Sequence, residues 1–206
     1  MITIIDYGMG NLRSVAKAFE ALGRSDVVVS SDPINLEKST HIILPGQGAF
    51  PHAIKNLQQF NLIEPLYEEV VNKAKPFLGI CLGMQLLAEV GFEHGRHKGI
   101  GLIRGRTEKL AVDEQQYKLP HVGWDNIDFD HNCPLFNGLQ QQSDFYFLHS
   151  YTLQPEDQSL VVATCTYGKT FPVAIWKKNI FATLFHPEKS QKNGLTILRN
   201  FINVGS

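Results

Sequence analysis

Cysteine is scarce in this chain of 206 residues: there are three, Cys81, Cys133 and Cys165, an odd number at wide spacing. They form neither a disulfide framework nor a zinc-ligand pattern. A surplus of charge is missing too, with 19 Lys and Arg against 20 Asp and Glu. Domains that bind phosphate chains or anionic membranes normally carry a basic excess, so such partners are disfavoured. No apolar run approaches the roughly 18 residues that a membrane-spanning helix needs. Repeats, low-complexity tracts and long linkers are also absent. The first residues run straight into Ile2-Thr3-Ile4-Ile5, without the charged-then-apolar order of a secretory signal. Together these absences make a reducing cytoplasm the expected location.

What is present is enough apolar material, 43% of the residues, to fill a full core. We expect one domain over residues 1–206. Short apolar runs alternate with helical patterns in the first half: strands at 2–6, 26–30 and 42–44, and helices at 12–22, 50–59 and 63–74. This rhythm predicts an α/β fold, an open and mostly parallel sheet flanked by helices, with ligands at the carboxyl ends of the strands. From about residue 106 to 185 strands predominate, at 107–110, 145–149, 160–166, 172–176 and 180–184, and are expected to add an antiparallel region to the same sheet. A last helix over 194–204 should pack Leu195, Leu198 and Ile202 inward.

The strand Phe77-Leu78-Gly79-Ile80 leads directly into Cys81, and Leu82, Gln85, Leu86 and Glu89 then follow with helical spacing. A cysteine at such a junction stands clear of the sheet, and Gly79 and Gly83 permit the close approach and unusual backbone that a sharp elbow requires. At a helix start, with a cationic histidine near, the thiolate is favoured. His186-Pro187-Glu188 supplies that histidine. In an extended segment His186 and Glu188 point to one face, so the carboxylate can hold one ring nitrogen while the other faces a nucleophile. The pattern reads as a Cys81-His186-Glu188 triad. Cys133 and Cys165 lack the glycine-flanked turn and read as inert buried thiols. The stretch Leu44-Pro45-Gly46-Gln47-Gly48-Ala49-Phe50 reads as a glycine-rich loop whose N–H groups, with that of Leu82, can face a developing oxyanion.

Gly79 to Gln85 together with Phe185-His186-Pro187-Glu188-Lys189-Ser190 resembles the class I, triad-type glutamine amidotransferases. The decapeptide from Asp6 to Val15, Leu44-Pro45-Gly46, His121-Val122-Gly123-Trp124 and Tyr146 to Tyr151 look like the glutaminase subunits of imidazole glycerol phosphate synthases, and this likeness runs nearly end to end. The resemblance implies the class I glutamine amidotransferase fold and hydrolysis of glutamine through a γ-glutamyl thioester on Cys81. It implies an oxyanion held by backbone near Gln47 and Leu82, and a glutamine pocket made by Gly46, Gly48, Gln85, Glu93, Ser150 and Tyr151. It implies no cofactor and no metal. It also implies a partner, a (β/α)8-barrel cyclase subunit that uses the ammonia to make imidazole glycerol phosphate in histidine biosynthesis, with Asn11, Trp124 and Lys189 near the shared interface. Three residues depart from the family pattern: Asp125 where Asn is usual, Leu184 where Gln is common, and Gln47 where Val is frequent.

Other readings compete. Gly8-Met9-Gly10 suggests a dinucleotide loop, but Arg13 occupies the place of the third glycine. Glu93, His94 and His97 match no helix-borne zinc spacing. Glutaminase subunits serving pyridoxal phosphate, anthranilate or guanine nucleotide synthesis would share the elbow and the triad, without the opening decapeptide or the His121 to Trp124 motif. A non-catalytic redox sensor would need neither Glu188 nor a glutamine pocket.

Overall fold

In the computed structural model, which describes residues 1–205, the chain opens with β1 (Ile2–Ile5), α1 (Leu12–Ala21), β2 (Val27–Ser30), α2 (Pro33–Lys38), β3 (His41–Gly46) and α3 (Phe50–Gln59). Next come α4 (Ile63–Tyr67), a π-helical turn over Glu68–Asn72, and β4 (Phe77–Cys81). β1, β3 and β4 are buried along their whole length, which is why their sequences are nearly continuous apolar runs and not alternating ones. The helices cover them with one apolar face each. α3 buries Phe50, Ala53, Ile54 and Leu57, and α1 buries Val15, Ala18 and Phe19. Asn11 caps α1 by accepting from the Ser14 N–H at 3.2 Å. Asp32 before Pro33 is the cap-and-start signal of α2, and the Asp32 side chain accepts from the Ile34 N–H at 3.0 Å.

Beyond β4 the chain forms α5 (Leu82–Gln85), β5 (Ala88–Gly91), β6 (His97–Lys98), β7 (Ile103–Lys109), β8 (His121–Phe129), β9 (Ser143–His149) and β10 (Tyr151–Pro155). It closes with β11 (Val161–Tyr167), β12 (Lys169–Lys177), β13 (Ile180–Thr183), a 3-10 turn over Pro187–Lys189 and α6 (Gln191–Ile202). The main sheet has nine strands in the order β2-β1-β3-β4-β13-β12-β11-β8-β9. Its β2, β1, β3, β4 and β13 pair in parallel, and the rest is antiparallel. The expected fold class is therefore observed. α6 buries Leu198 and Ile202 and packs Leu195 against the core. Among the described residues no helix is long and apolar enough to cross a membrane.

Two expectations need correction. The helix after Cys81 does not continue to Glu89: α5 is one turn, and Glu89 lies in β5. The Leu86 and Leu87 carbonyls accept from the N–H groups of Ile100 and Ile103, at 2.8 and 3.0 Å, so a tertiary pairing takes over where a helix would have continued. Nor does the segment around 107–110 join the main sheet. β7 pairs with β10 and β5 in a second sheet of four strands, β10-β7-β5-β6, seeded by the early end of α5.

Candidate active site

Parallel pairing of β3, β4 and β13 brings three strand ends together. Gly46 stands beside Cys81 in register, and Thr183 beside Ile80, so His186 emerges three residues beyond the strand next to the cysteine. Cys81 closes β4 with φ 55 and ψ −109, a backbone conformation that costs a non-glycine residue about 1–3 kcal/mol. Crowding around it explains the flanking glycines. A Cβ on Gly83 would sit 1.8 Å from the Leu44 carbonyl oxygen, and one on Gly79 would sit 2.9 Å from the Gly83 carbonyl oxygen. The elbow is thus wedged against β3, with the Cys81 sulfur 3.6 Å from the Leu148 carbonyl oxygen. With α5 only one turn long, little helix dipole stands behind the sulfur, and the nearby imidazole becomes the principal source of positive charge.

That imidazole is held from two sides. His186 Nδ1 donates to Glu188 Oε1 at 2.7 Å, so its tautomer is set by a carboxylate that can only accept. The His186 backbone N–H donates to the Tyr146 carbonyl at 2.9 Å, and its carbonyl accepts from Ser190 Oγ at 2.6 Å. His186 Nε2 is buried and completes no hydrogen bond, while Cys81 lies near enough for its charge to act on the ring. Contacts of this kind are often long or poorly aligned until substrate binds. Burial works against charging His186, but Cys81 and Glu188 outweigh it and raise its pKa to about 10. A cysteine sulfur beside a readily protonated imidazole that is backed by a carboxylate is equipped to attack an acyl carbon and to protonate the leaving group.

A cavity of about 140 Å³ opens beside the sulfur. Pockets for drug-sized ligands measure about 300–1,000 Å³, so this smaller volume suits one small amino acid. Leu82, Gln47, Gly48, Gln85, Glu93, Ser150 and Tyr151, all named from the sequence, line it with Cys81. Gly46 does not. β3 runs through Gly46, which lies under the wall, where a Cβ would meet the Tyr7 hydroxyl at 2.4 Å. A wider depression of about 480 Å³ lies over the second sheet, but its walls of Glu89, Arg96, Arg106 and Glu156 hold no nucleophile–base pair. Glu93, just after β5, accepts from the Phe50 N–H at 2.7 Å, tying its loop to the start of α3. Gln85 Nε2 donates to the Tyr151 carbonyl at 3.1 Å.

Two residues of the site escaped sequence reasoning. Tyr7 donates its buried hydroxyl to the Pro45 carbonyl at 2.9 Å and so braces the segment that carries Gln47. Burial, with the Cys81 charge adding to it, holds that hydroxyl above the ordinary phenol range. The signal was its place just after the first strand. His149 lines the cavity, and only its place two residues before Tyr151 marked it. Cys133 and Cys165 are buried elsewhere, and burial pushes both thiols up to about 12.

A family model described as glutamine amidotransferase class-I matches residues 3–204. The chain is 47% identical over 205 residues to the imidazole glycerol phosphate synthase subunit HisH of Syntrophotalea carbinolica, with 98% of each covered. It is 46% identical over 198 residues to the HisH subunit of Aquifex aeolicus, with 96% of this chain and 94% of that one covered. The chain belongs to the HisH family of class I glutamine amidotransferases. Two solved structures share the fold: a glutamine amidotransferase, with a TM-score of 0.75 at 17% identity, and PurLQS from Thermotoga maritima, with 0.73 at 16%. Each alignment covers 98% of this chain and 97% of the other.

In this HisH-family amidotransferase, two of the three interface candidates converge. Trp124, 48% exposed, meets Tyr146 edge-on at 6.0 Å, and Lys189 Nζ lies 5.6 Å from the Tyr146 ring. Tyr146 is in turn 6.4 Å from the His186 ring, so this half-buried cluster, with Trp124 as its exposed member, adjoins the triad. Asn11 starts α1, which packs against the Pro187–Lys189 turn, but its side chain is engaged as the helix cap.

Proposed function

We propose that this chain hydrolyses glutamine to glutamate and ammonia and delivers the ammonia to a (β/α)8-barrel cyclase subunit that makes imidazole glycerol phosphate in histidine biosynthesis. Cys81 attacks the side-chain amide carbon, and the oxyanion forms against backbone N–H groups near Gln47 and Leu82. His186 passes its proton to the departing nitrogen, the C–N bond breaks, and a γ-glutamyl thioester remains. His186 then takes a proton from water, which attacks the thioester and releases glutamate, while Glu188 holds the ring throughout. Glu93 and the backbone at Ser150 and Tyr151 hold the substrate's amino and carboxylate end, and Gln85 steadies that backbone. We assign residues 1–206 to one amidotransferase domain working in the cytoplasm without a cofactor.

The strained elbow at Cys81 beside a carboxylate-held His186 carries this reading. The partner is supported by the word "subunit" in the relatives' names and by the exposed Trp124 cluster next to the triad. Chemistry favours it as well, because ammonia released to neutral water becomes ammonium and ceases to be a nucleophile. The test is alkylation of the full chain by diazo-oxo-norleucine, an electrophilic glutamine mimic. Saturable labelling of Cys81 alone, blocked by glutamine and lost in Cys81→Ala, is the expected result. Labelling that glutamine does not compete for, or that falls on Cys133 or Cys165, would overturn the assignment.

A further inference from the structure

Asp125, His121, His149 and the Tyr151 carbonyl, none of which moves a proton in the mechanism above, form one continuous chain. Asp125 Oδ2 lies 3.0 Å from His121 Nε2, His121 Nδ1 lies 3.1 Å from His149 Nε2, and His149 Nδ1 lies 3.1 Å from the Tyr151 carbonyl oxygen. That carbonyl is the one that also accepts from Gln85. The chain therefore runs from a carboxylate 34% exposed at the surface to the wall of the cavity beside Cys81. Local structure permits this reach. His121, Gly123 and Asp125 share the inner face of β8, and Gly123, at φ 143, puts no side chain between the other two.

Counting protons shows what the chain requires. A carbonyl and an ionised carboxylate only accept, so each of the three contacts must receive its proton from an imidazole or from a protonated Asp125. Three bonds need three protons. Two neutral imidazoles carry only two, so the intact chain holds one extra proton, and that proton makes the Asp125–His121–His149 trio electrically neutral. Without it one link must open. The bond from His121 to ionised Asp125 is charge-assisted and about twice as strong as a neutral one, so the break falls on a neutral link. Both neutral links are made by His149.

The surroundings place the extra proton at the outer end. His121 is stacked between Phe147, at 5.0 Å, and Tyr167, at 4.1 Å. The titratable groups around the chain are Asp125 on β8, His149 on β9, and Tyr167 and Cys165 on β11, with His186 acting on His149 from the triad. Tyr167 is occupied, donating its hydroxyl to the Lys118 carbonyl at 3.0 Å. Burial depresses His149 to about 3, keeping it neutral. Burial also draws His121 below the usual histidine value, with Asp125 opposing, so the proton is releasable in or below the range where histidines titrate.

Building on the glutaminase reading, we propose that Asp125 and His121 are positioning residues for glutamine, holding His149 and through it the Tyr151 carbonyl and the Gln85 amide at the cavity wall. Asparagine at 125 would satisfy the same three links with no extra proton, because its amide can donate to a neutral His121. Asp125 thus makes the alignment of the pocket depend on pH.

The test follows the half-saturating concentration of diazo-oxo-norleucine for Cys81, separately from the maximal labelling rate, from about pH 4.5 to about pH 8.5 on the full chain. Nitrogen-15 NMR of the labelled histidines runs in parallel. In the unaltered protein the half-saturating concentration should rise about tenfold, one hydrogen bond's worth, through the same midpoint at which the NMR shows the proton leaving. Asp125→Asn should stay at the low value across the whole range and lose the titration. His121→Phe, which keeps the stacking, should show the high value at every pH. The proposal is overturned if Asp125→Asn keeps the unaltered protein's pH profile, or if His121→Phe leaves the half-saturating concentration unchanged while near-UV circular dichroism shows a folded protein. Absence of saturable labelling in the unaltered protein would instead remove the glutaminase reading, and this proposal with it.

Discussion

Cys81 and His186 set each other's charge, and that coupling is measurable at single residues. Burial alone would keep His186 neutral, whereas Cys81 and Glu188 raise its pKa to about 10. The sign for stability follows. A histidine raised in the folded state contributes most below its unfolded value of about 6.5, and that contribution disappears as pH climbs toward the folded value. Cys81→Ala deletes the leading cause of the rise, so the His186 ring should titrate at lower pH in that variant, as read by histidine proton NMR. An unchanged midpoint would mean that the sulfur does not act on the ring. At this scale much was legible beforehand. Cys81 between glycines and the His186-Pro187-Glu188 motif name their chemistry through residue type, but the expected extended alternation is not what joins the pair: a 3-10 turn over Pro187–Lys189 brings Glu188 Oε1 to the ring. Tyr7 was not legible, because a tyrosine after a strand reads as core until the Pro45 carbonyl is seen to accept from it.

The elbow works as an element because two backbones touch. Gly83 lies so near the Leu44 carbonyl that Gly83→Ala should destabilise the fold by about 3 kcal/mol or more, the upper range of overpacking penalties, seen as a lower midpoint in urea unfolding. A loss below about 1 kcal/mol would show that β3 can yield and that the elbow is not wedged. The elements themselves show where sequence reasoning ends. α3, with its apolar residues at helical spacing, came out with the expected boundaries. α5 did not, since Leu82, Gln85, Leu86 and Glu89 have equally good helical spacing. Residues 100–103, distant in sequence, claim the carbonyls of Leu86 and Leu87, and no local pattern announces that competition.

On the scale of the molecule, the half-buried cluster of Tyr146 and Lys189 under exposed Trp124 sits beside a buried triad, which is where a partner could influence the chemistry. Val122 and Trp124, 54% and 48% exposed, project from the outer face of β8. If this face receives the barrel subunit, Trp124→Ala should weaken the complex by about 2 kcal/mol, roughly 30-fold in Kd by isothermal titration calorimetry. Labelling of Cys81 in the isolated chain should be unaffected. Full affinity in the variant would move the interface elsewhere.

Residue types and their spacing determined by themselves the α/β class and the nucleophile with its base, because strands of period two and helices of period 3.6 leave their marks locally, while most of the cavity lining was legible only through the resemblance to class I amidotransferases. Only the tertiary structure decided that β5 and β7 would leave the main sheet, that Gly46 would lie under the wall, and that Asp125 would reach Tyr151 through two histidines. Those outcomes depend on which backbone groups find partners across tens of residues, and that contest is settled by packing in three dimensions.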